Sequence, residues 1–253
     1  MKQVLAFDTY GTLLDTGSIA TAIQSHAHIS AEEANQVSLL WRRYQLEYTF
    51  RLNSMELYEP FDVVTKHSLQ QAAAEFHLSL TDNDVANLMA TYNRLLPFED
   101  TVPALEALKQ LPNVELVVFS NGTAAMVDTA LKASLPESVL PLPLYLADFV
   151  RGYKPKPEIY HGLLAHLSEL GIRDAQTGNN DPKTKNSPDV WLVSGNPFDI
   201  TGARSAGLGA IWVDRAGKGW TDCLPLDEKK LGPLKIVRSL RDIATVVQDI
   251  NRD

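Results

Sequence analysis

Cysteine is nearly absent. Cys223 is the single one among 253 residues, which excludes an internal disulfide and any cysteine-based zinc site. A reducing compartment is therefore the simplest setting, and a cytoplasmic protein is expected. Cys223 itself lies in a loop-like stretch, Trp220-Thr221-Asp222-Cys223-Leu224-Pro225, with no nucleophile motif around it. Long apolar runs are missing as well: none approaches the roughly 20 residues needed to span a bilayer. The N-terminus also lacks a basic segment followed by a hydrophobic stretch and a small-residue cleavage site. Positive charge is scarce, with 23 Lys and Arg against 31 Asp and Glu and a net charge of −8. Nucleic acid and anionic membrane are thus unfavourable partners, because phosphate-rich surfaces require a basic patch. An anionic small molecule would need cations gathered locally. There is no internal repeat, and a hydrophobic content of 45% with 21% charged residues is ordinary for a globular chain.

What the chain does contain begins at its start. The short apolar run Val4-Leu5-Ala6-Phe7 ends abruptly in Asp8-Thr9-Tyr10-Gly11-Thr12. A run that short reads as a buried strand, and a carboxylate at its C-terminal end sits where open α/β sheets place their chemistry. Alone, an Asp near a glycine is a turn former. Three later segments change the weighting. Leu116-Val117-Val118-Phe119 runs into Ser120-Asn121-Gly122, Lys154-Pro155 opens a helical segment, and Trp191-Leu192-Val193 runs into Ser194-Gly195-Asn196-Pro197-Phe198-Asp199.

Between Asp15 and about Pro97 the alternation of strand and helix stops, and the segment reads as all helix. Ser30-Ala31-Glu32-Glu33 forms a capping box, followed at helical spacing by Val37, Leu40, Trp41, Tyr44 and Tyr48. Further helices are expected near Phe61 to Phe76 and from Thr81 to about Leu95. From Thr101 onward strands and helices alternate, implying a parallel sheet covered on both faces. Strands are expected up to Phe119, near Leu142 to Leu146, near Trp191 to Val193 and near Ala210 to Val213. A helix should run from Pro157 to Gly171. Between Asp174 and Asp189 a polar stretch without periodicity reads as an exposed loop. The fold class is α/β, a core of residues 1–14 and 98–253 with an all-helical cap of residues 15–97 inserted after the first strand.

A strand-end Asp, a strand-end Ser, a Lys and a strand-end Asp, in that order, resemble the four-motif signature of the haloacid dehalogenase superfamily from end to end of the chain. The resemblance implies a Rossmann-like core. Most members are phosphatases, which carry a second Asp two residues after the nucleophile and another four residues before the last one. Here those positions are Tyr10 and Gly195. Both losses remove carboxylates that Mg²⁺ would use, so no metal and no other cofactor is expected. A phosphate ester needs an acid and a metal, whereas a 2-halocarboxylate expels halide unaided. The Asp-x-Tyr-Gly-Thr form of the first motif, Ser-x-Asn-x-x-Asp in the fourth, and Trp41 to Thr49 together resemble the L-2-haloacid dehalogenases, as does the aromatic segment around Phe61.

By that resemblance Asp8 attacks C2 of a 2-halocarboxylate, giving an ester that water hydrolyses with Asp199 as base and a D-2-hydroxy acid as product. Ser194 and Asn196 orient Asp199, the water or Lys154; Lys154 keeps Asp8 ionised; Thr12 bonds within the same site, and Tyr160 keeps the family's spacing. Ser120 takes the substrate carboxylate, Asn121 and Arg42 lie near the halide or carboxylate, and Tyr10, Phe61 and Phe198 wall the apolar side. From the residues alone, Arg43 competes with Arg42 and Lys156 with Lys154; the motif match selects Arg42 and Lys154. Related dehalogenases are often dimers, so a homodimer is compatible with the resemblance. The Asp174 to Asp189 loop and Pro197 depart from the family pattern. Two alternatives remain at this point: a divergent phosphatase or other hydrolase on the same core, and a non-catalytic member of the fold.

Overall fold

The computed structural model describes residues 2–173 and 189–250. Most of the Asp174 to Asp189 segment therefore lies outside the described residues. The two ends that flank it are joined by an ion pair of 2.7 Å between Arg173 Nε and Asp189 Oδ2.

Six parallel strands form one sheet in the order β3-β2-β1-β4-β5-β6: β1 (Gln3–Phe7), β2 (Val114–Ser120), β3 (Leu144–Leu146), β4 (Val190–Ser194), β5 (Gly209–Val213) and β6 (Lys235–Val237). β1 is buried at every residue, as a strand covered on both faces must be. Its side chains alternate between two cores. Leu5 and Phe7 join the apolar cluster on one face, with Leu105 of α5 (Thr101–Lys109) and Val127 of α6 (Ala124–Ser134). Val4 and Ala6 join the other, with Leu163 of α7 (Pro157–Glu169) and Ala203 of α8 (Pro197–Ser205). The order of strands reverses direction between β1 and β4, which places a crevice at the C-terminal ends of these neighbours.

Four α-helices lie between β1 and α5: α1 (Ala20–Ala27), α2 (Ala31–Ser54), α3 (Phe61–Glu75) and α4 (Asp82–Tyr92). Capping boxes start α2 at Ser30 and α4 at Thr81, each satisfying otherwise orphaned N–H groups at the helix start. The two chain crossings into and out of this helical segment run side by side. Asp15 N donates to Leu96 O at 2.8 Å, and Phe98 N donates to Leu13 O at 3.1 Å.

The buried stripe of α2 differs from the sequence expectation. Ala34, Val37, Ser38, Trp41, Gln45 and Thr49 are the buried residues, while Leu40, Tyr44 and Tyr48 are half-buried. Polar side chains can occupy the inner face because they are hydrogen-bonded there. Gln45 Nε2 donates to Thr65 Oγ1 at 2.7 Å, and Gln45 Oε1 accepts from Tyr92 at 3.1 Å. Two C-terminal features also went unforeseen. β6 is a three-residue edge strand, and α10 (Ile243–Ile250), which follows the one-turn α9 (Glu228–Leu231), buries Ile243, Val247 and Ile250.

Candidate active site

Three neighbouring strands deliver polar residues to one place. Asp8 follows the last residue of β1, Ser120 ends β2 and Ser194 ends β4. Gly11, at φ +86°, turns the chain back sharply after Asp8 so that Thr12 returns to the carboxylate. Thr12 Oγ1 donates to Asp8 Oδ2 at 2.7 Å and accepts from Gly195 N at 3.0 Å, tying the β1 and β4 turns together. Asn196, the residue before α8, donates from Nδ2 to the same Asp8 oxygen at 2.7 Å and to Tyr10 O at 3.0 Å. Ser194 Oγ lies 3.4 Å from it as well. Asp8 Oδ2 is thus held by three side chains, whereas Oδ1 has one partner, Lys154 Nζ at 3.3 Å. The more lightly bonded oxygen is the better nucleophile.

Lys154 is 1% exposed and each of its three ammonium donors has an acceptor: Asp8 Oδ1, Phe119 O at 2.7 Å and Asp199 Oδ2 at 2.7 Å. It also sits 4.0 Å from the centre of the Phe119 ring. Lys156, its rival in the sequence, is only half-buried and caps α7 instead. Asp199 is fully buried, in the first turn of α8 that Pro197 opens. Its other oxygen accepts from the Tyr160 hydroxyl at 2.7 Å. Burial pushes the Asp199 carboxyl up to about 6, opposed by the positive charge of Lys154 and assisted by the negative charge of Asp8. Burial also holds the Tyr160 hydroxyl far above its ordinary value, so it remains a donor.

Arg42, on α2, donates to Gln45 Oε1 at 2.5 Å, to Tyr10 O at 3.1 Å and to Asn196 Oδ1 at 3.4 Å. Arg43 is exposed. Among the described residues no carboxylate pairs with Arg42, which leaves a cation beside the Asp8 cluster for an anionic ligand. Asn121 Oδ1 accepts from the main-chain N–H of Lys154 at 2.9 Å. Ser120 Oγ accepts from Gly122 N at 3.1 Å, leaving its own proton to give. Tyr10 packs against Phe61 and Tyr92, with ring centres 5.8 Å and 5.5 Å apart. Phe198 stands edge-on to Phe50 of α2 at 5.4 Å. The site thus lies where the strand ends meet the inserted helices.

A haloacid dehalogenase-like hydrolase family model matches residues 2–207. The chain belongs to the haloacid dehalogenase-like hydrolases. It is 33% identical to (S)-2-haloacid dehalogenase 4A of Burkholderia cepacia over 215 residues, which is 85% of this chain and 84% of that one. It is 30% identical to haloacetate dehalogenase H-2 of Moraxella sp. (strain B) over 219 residues, covering 86% and 88% of the two chains. A crystal structure of a dehalogenase with an intermediate complex superposes with a TM-score of 0.77 at 29% identity, covering 97% of this chain and 96% of the other.

For a member of this hydrolase family, the donor set does not suit the magnesium ion of its phosphatase relatives. Tyr10 and Gly195 stand where carboxylates would be, and a Cβ added to Gly195 would lie 2.7 Å from the Gly11 carbonyl oxygen. An ammonium group already bridges the two carboxylates that remain. The sequence assigns no role to Tyr92, Tyr153 or Asn53, nor to Gln45 beyond its place in the Trp41 to Thr49 segment. Gln45 aims Arg42, Tyr92 backs Tyr10, and the Tyr153 ring packs on Phe61 at 5.9 Å. Its place directly before Lys154 is the signal that could have pointed to Tyr153; Asn53 has none.

Proposed function

We propose that the protein is an (S)-2-haloacid dehalogenase that converts L-2-haloacids and water to D-2-hydroxy acids and halide through an ester on Asp8. The observation that carries this reading is the Lys154 ammonium bound to both Asp8 and Asp199, in a crevice that lacks the other metal-binding carboxylates. Asp8 Oδ1 displaces halide from the far side of C2, inverting that carbon. Arg42 draws the anionic substrate, with Ser120 as a donor to its carboxylate and Tyr10, Phe61 and Phe198 beside its apolar part. Residues 15–97 act as a cap, and halide leaves toward it.

Water then attacks the ester carbonyl carbon. As negative charge develops on Asp8 Oδ2, the donors already aimed at that atom, Thr12, Asn196 and Ser194, stabilise it. Asp199 takes the proton of the water, and its raised carboxyl suits a base working near neutrality. Lys154 offsets the charge of both carboxylates throughout, and Tyr160 fixes the orientation of Asp199. The protein acts without a metal, in the cytoplasm, and without nucleic acid or membrane partners; among the described residues no helix is long and apolar enough to cross a membrane.

The test is halide release from L-2-chloropropionate, measured beside hydrolysis of p-nitrophenyl phosphate, each with EDTA and with added Mg²⁺. Chloride release indifferent to both additions supports the reading. Efficient, Mg²⁺-dependent phosphate release in its place would assign the site to a divergent phosphatase.

A further inference from the structure

Helix α2 touches the site at two places about 16 Å apart, given 1.5 Å per residue and the 11 residue steps from Arg42 to Asn53. Arg42 reaches the turn after β1. Asn53, in the last turn of α2, reaches the residue before Lys154. Its Nδ2 donates to Tyr153 O at 2.7 Å, and its Oδ1 accepts from Tyr153 N at 3.0 Å. This two-bond pairing satisfies both main-chain groups of the residue that precedes Lys154. The next N–H, that of Lys154, is taken by Asn121 Oδ1. The lysine segment is therefore gripped from the core by Asn121 and from the inserted helices by Asn53.

Other contacts at the same seam fix the grip. The Tyr153 hydroxyl donates to Glu59 O and the Tyr58 hydroxyl to Asp148. The Arg151 guanidinium lies 5.1 Å from the centre of the Tyr58 ring. Each of these joins the loop after α2 to the stretch that leads into Lys154, across about a hundred residues of sequence.

We propose that Asn53 is a positioning residue for the dehalogenation reaction, through which the helical insert holds Lys154 in place between Asp8 and Asp199. This rests on the reading of Lys154 and Asp199 given above. The ammonium reaches its acceptors at 2.7 and 3.3 Å only if the backbone at Tyr153 and Lys154 is fixed; a shift of one ångström would weaken both contacts. The groups that face Asp199 are Lys154, Asp8 and Tyr160, and only the first is positive. Loosening Lys154 therefore removes the one charge that keeps the base ionised.

The experiment compares wild type with Asn53→Ala, and with Asn53→Ser, whose side chain is too short to span both main-chain groups. Asp199 is titrated directly by carbon NMR of aspartate-labelled protein, and kcat and KM for L-2-chloropropionate are measured from pH 4.5 to 8. The Asp199 midpoint and the acid limb of kcat should both move upward by about half a unit to one unit. At pH 6 kcat should fall about two- to sixfold, with KM within about twofold of wild type. Unchanged titration and an unchanged acid limb, with losses confined to melting temperature or KM, would make Asn53 merely structural and overturn the proposal. Because the titration needs no turnover, it decides the matter even if wild type proves to release no chloride, an outcome that would count against the assigned reaction alone. If the Ala variant does not fold, the Ser variant supplies the same readings.

Discussion

Lys154→Met is the most informative single perturbation of the site. Methionine keeps the length and apolar stem of lysine but removes the ammonium, leaving two buried carboxylates without their shared cation. At the observed separations of 2.7 and 3.3 Å, Coulomb's law with an effective dielectric near 20 gives about 5 to 6 kcal/mol of attraction per pair. Desolvation of the ions offsets much of that, and loss of one partner from a buried pair typically costs about 3 to 5 kcal/mol. The cost should depend on pH. In the variant Asp199 binds its proton still more tightly than in wild type, so the folded state takes up a proton that the unfolded chain holds only at lower pH. Stability of the variant then rises as pH falls through that folded-state value. Urea unfolding should show a loss of about 3 to 5 kcal/mol at pH 8 and a clearly smaller one at pH 5. Chloride release at pH 8 should fall by about a thousandfold, because a proton held on Asp199 disables the base. An equal stability cost at both pH values, or activity within about tenfold of wild type, would refute this electrostatic account of Lys154.

Further outcomes follow from the same geometry. For wild type, kcat should decline below about pH 6, since the base must be deprotonated and burial has raised it to about that value; a flat profile from pH 4.5 to 8 would remove Asp199 from the role of base. Gly195→Asp, which restores a phosphatase-like carboxylate, should destabilise the protein by about 1 to 3 kcal/mol through the close approach to Gly11 O and should not create Mg²⁺-dependent phosphatase activity. A stable variant that hydrolyses p-nitrophenyl phosphate with Mg²⁺ would show that the steric reading is wrong. Racemic 2-chloropropionate should stop near half conversion with D-lactate as product, because a fixed carboxylate attacks one face; continued release at a comparable rate would contradict that.

The strand-end residues Asp8, Ser120 and Ser194 are legible in the sequence because each short apolar run stops at a polar residue, and a buried parallel strand leaves that signature. The choice between Lys154 and Lys156 is not legible from the residues alone. Both flank Pro155, and only the packed fold sends one inward while the other caps α7. Arg42 and Arg43 pose the same problem on α2, settled by which of them faces Tyr10 and Asn196. The roles of Gln45 and Asn53 escape sequence reading for a further reason: apart from Arg42, their partners are separated from them by 20 to 100 residues, and both of Asn53's are main-chain atoms that leave no compositional trace. β6 is missed because three residues at a sheet edge carry too little pattern.

The central claim is that Asp8 itself becomes esterified and supplies the oxygen of the product. A single turnover in ¹⁸O-water, with enzyme in excess over L-2-chloropropionate, tests it most directly by mass spectrometry of both the hydroxy acid and the peptide that contains Asp8. The mechanism predicts one ¹⁸O in the Asp8 carboxylate and none in the newly formed hydroxyl. Label appearing directly in that hydroxyl, with Asp8 unlabelled, would mean that water attacks C2 and that no ester forms.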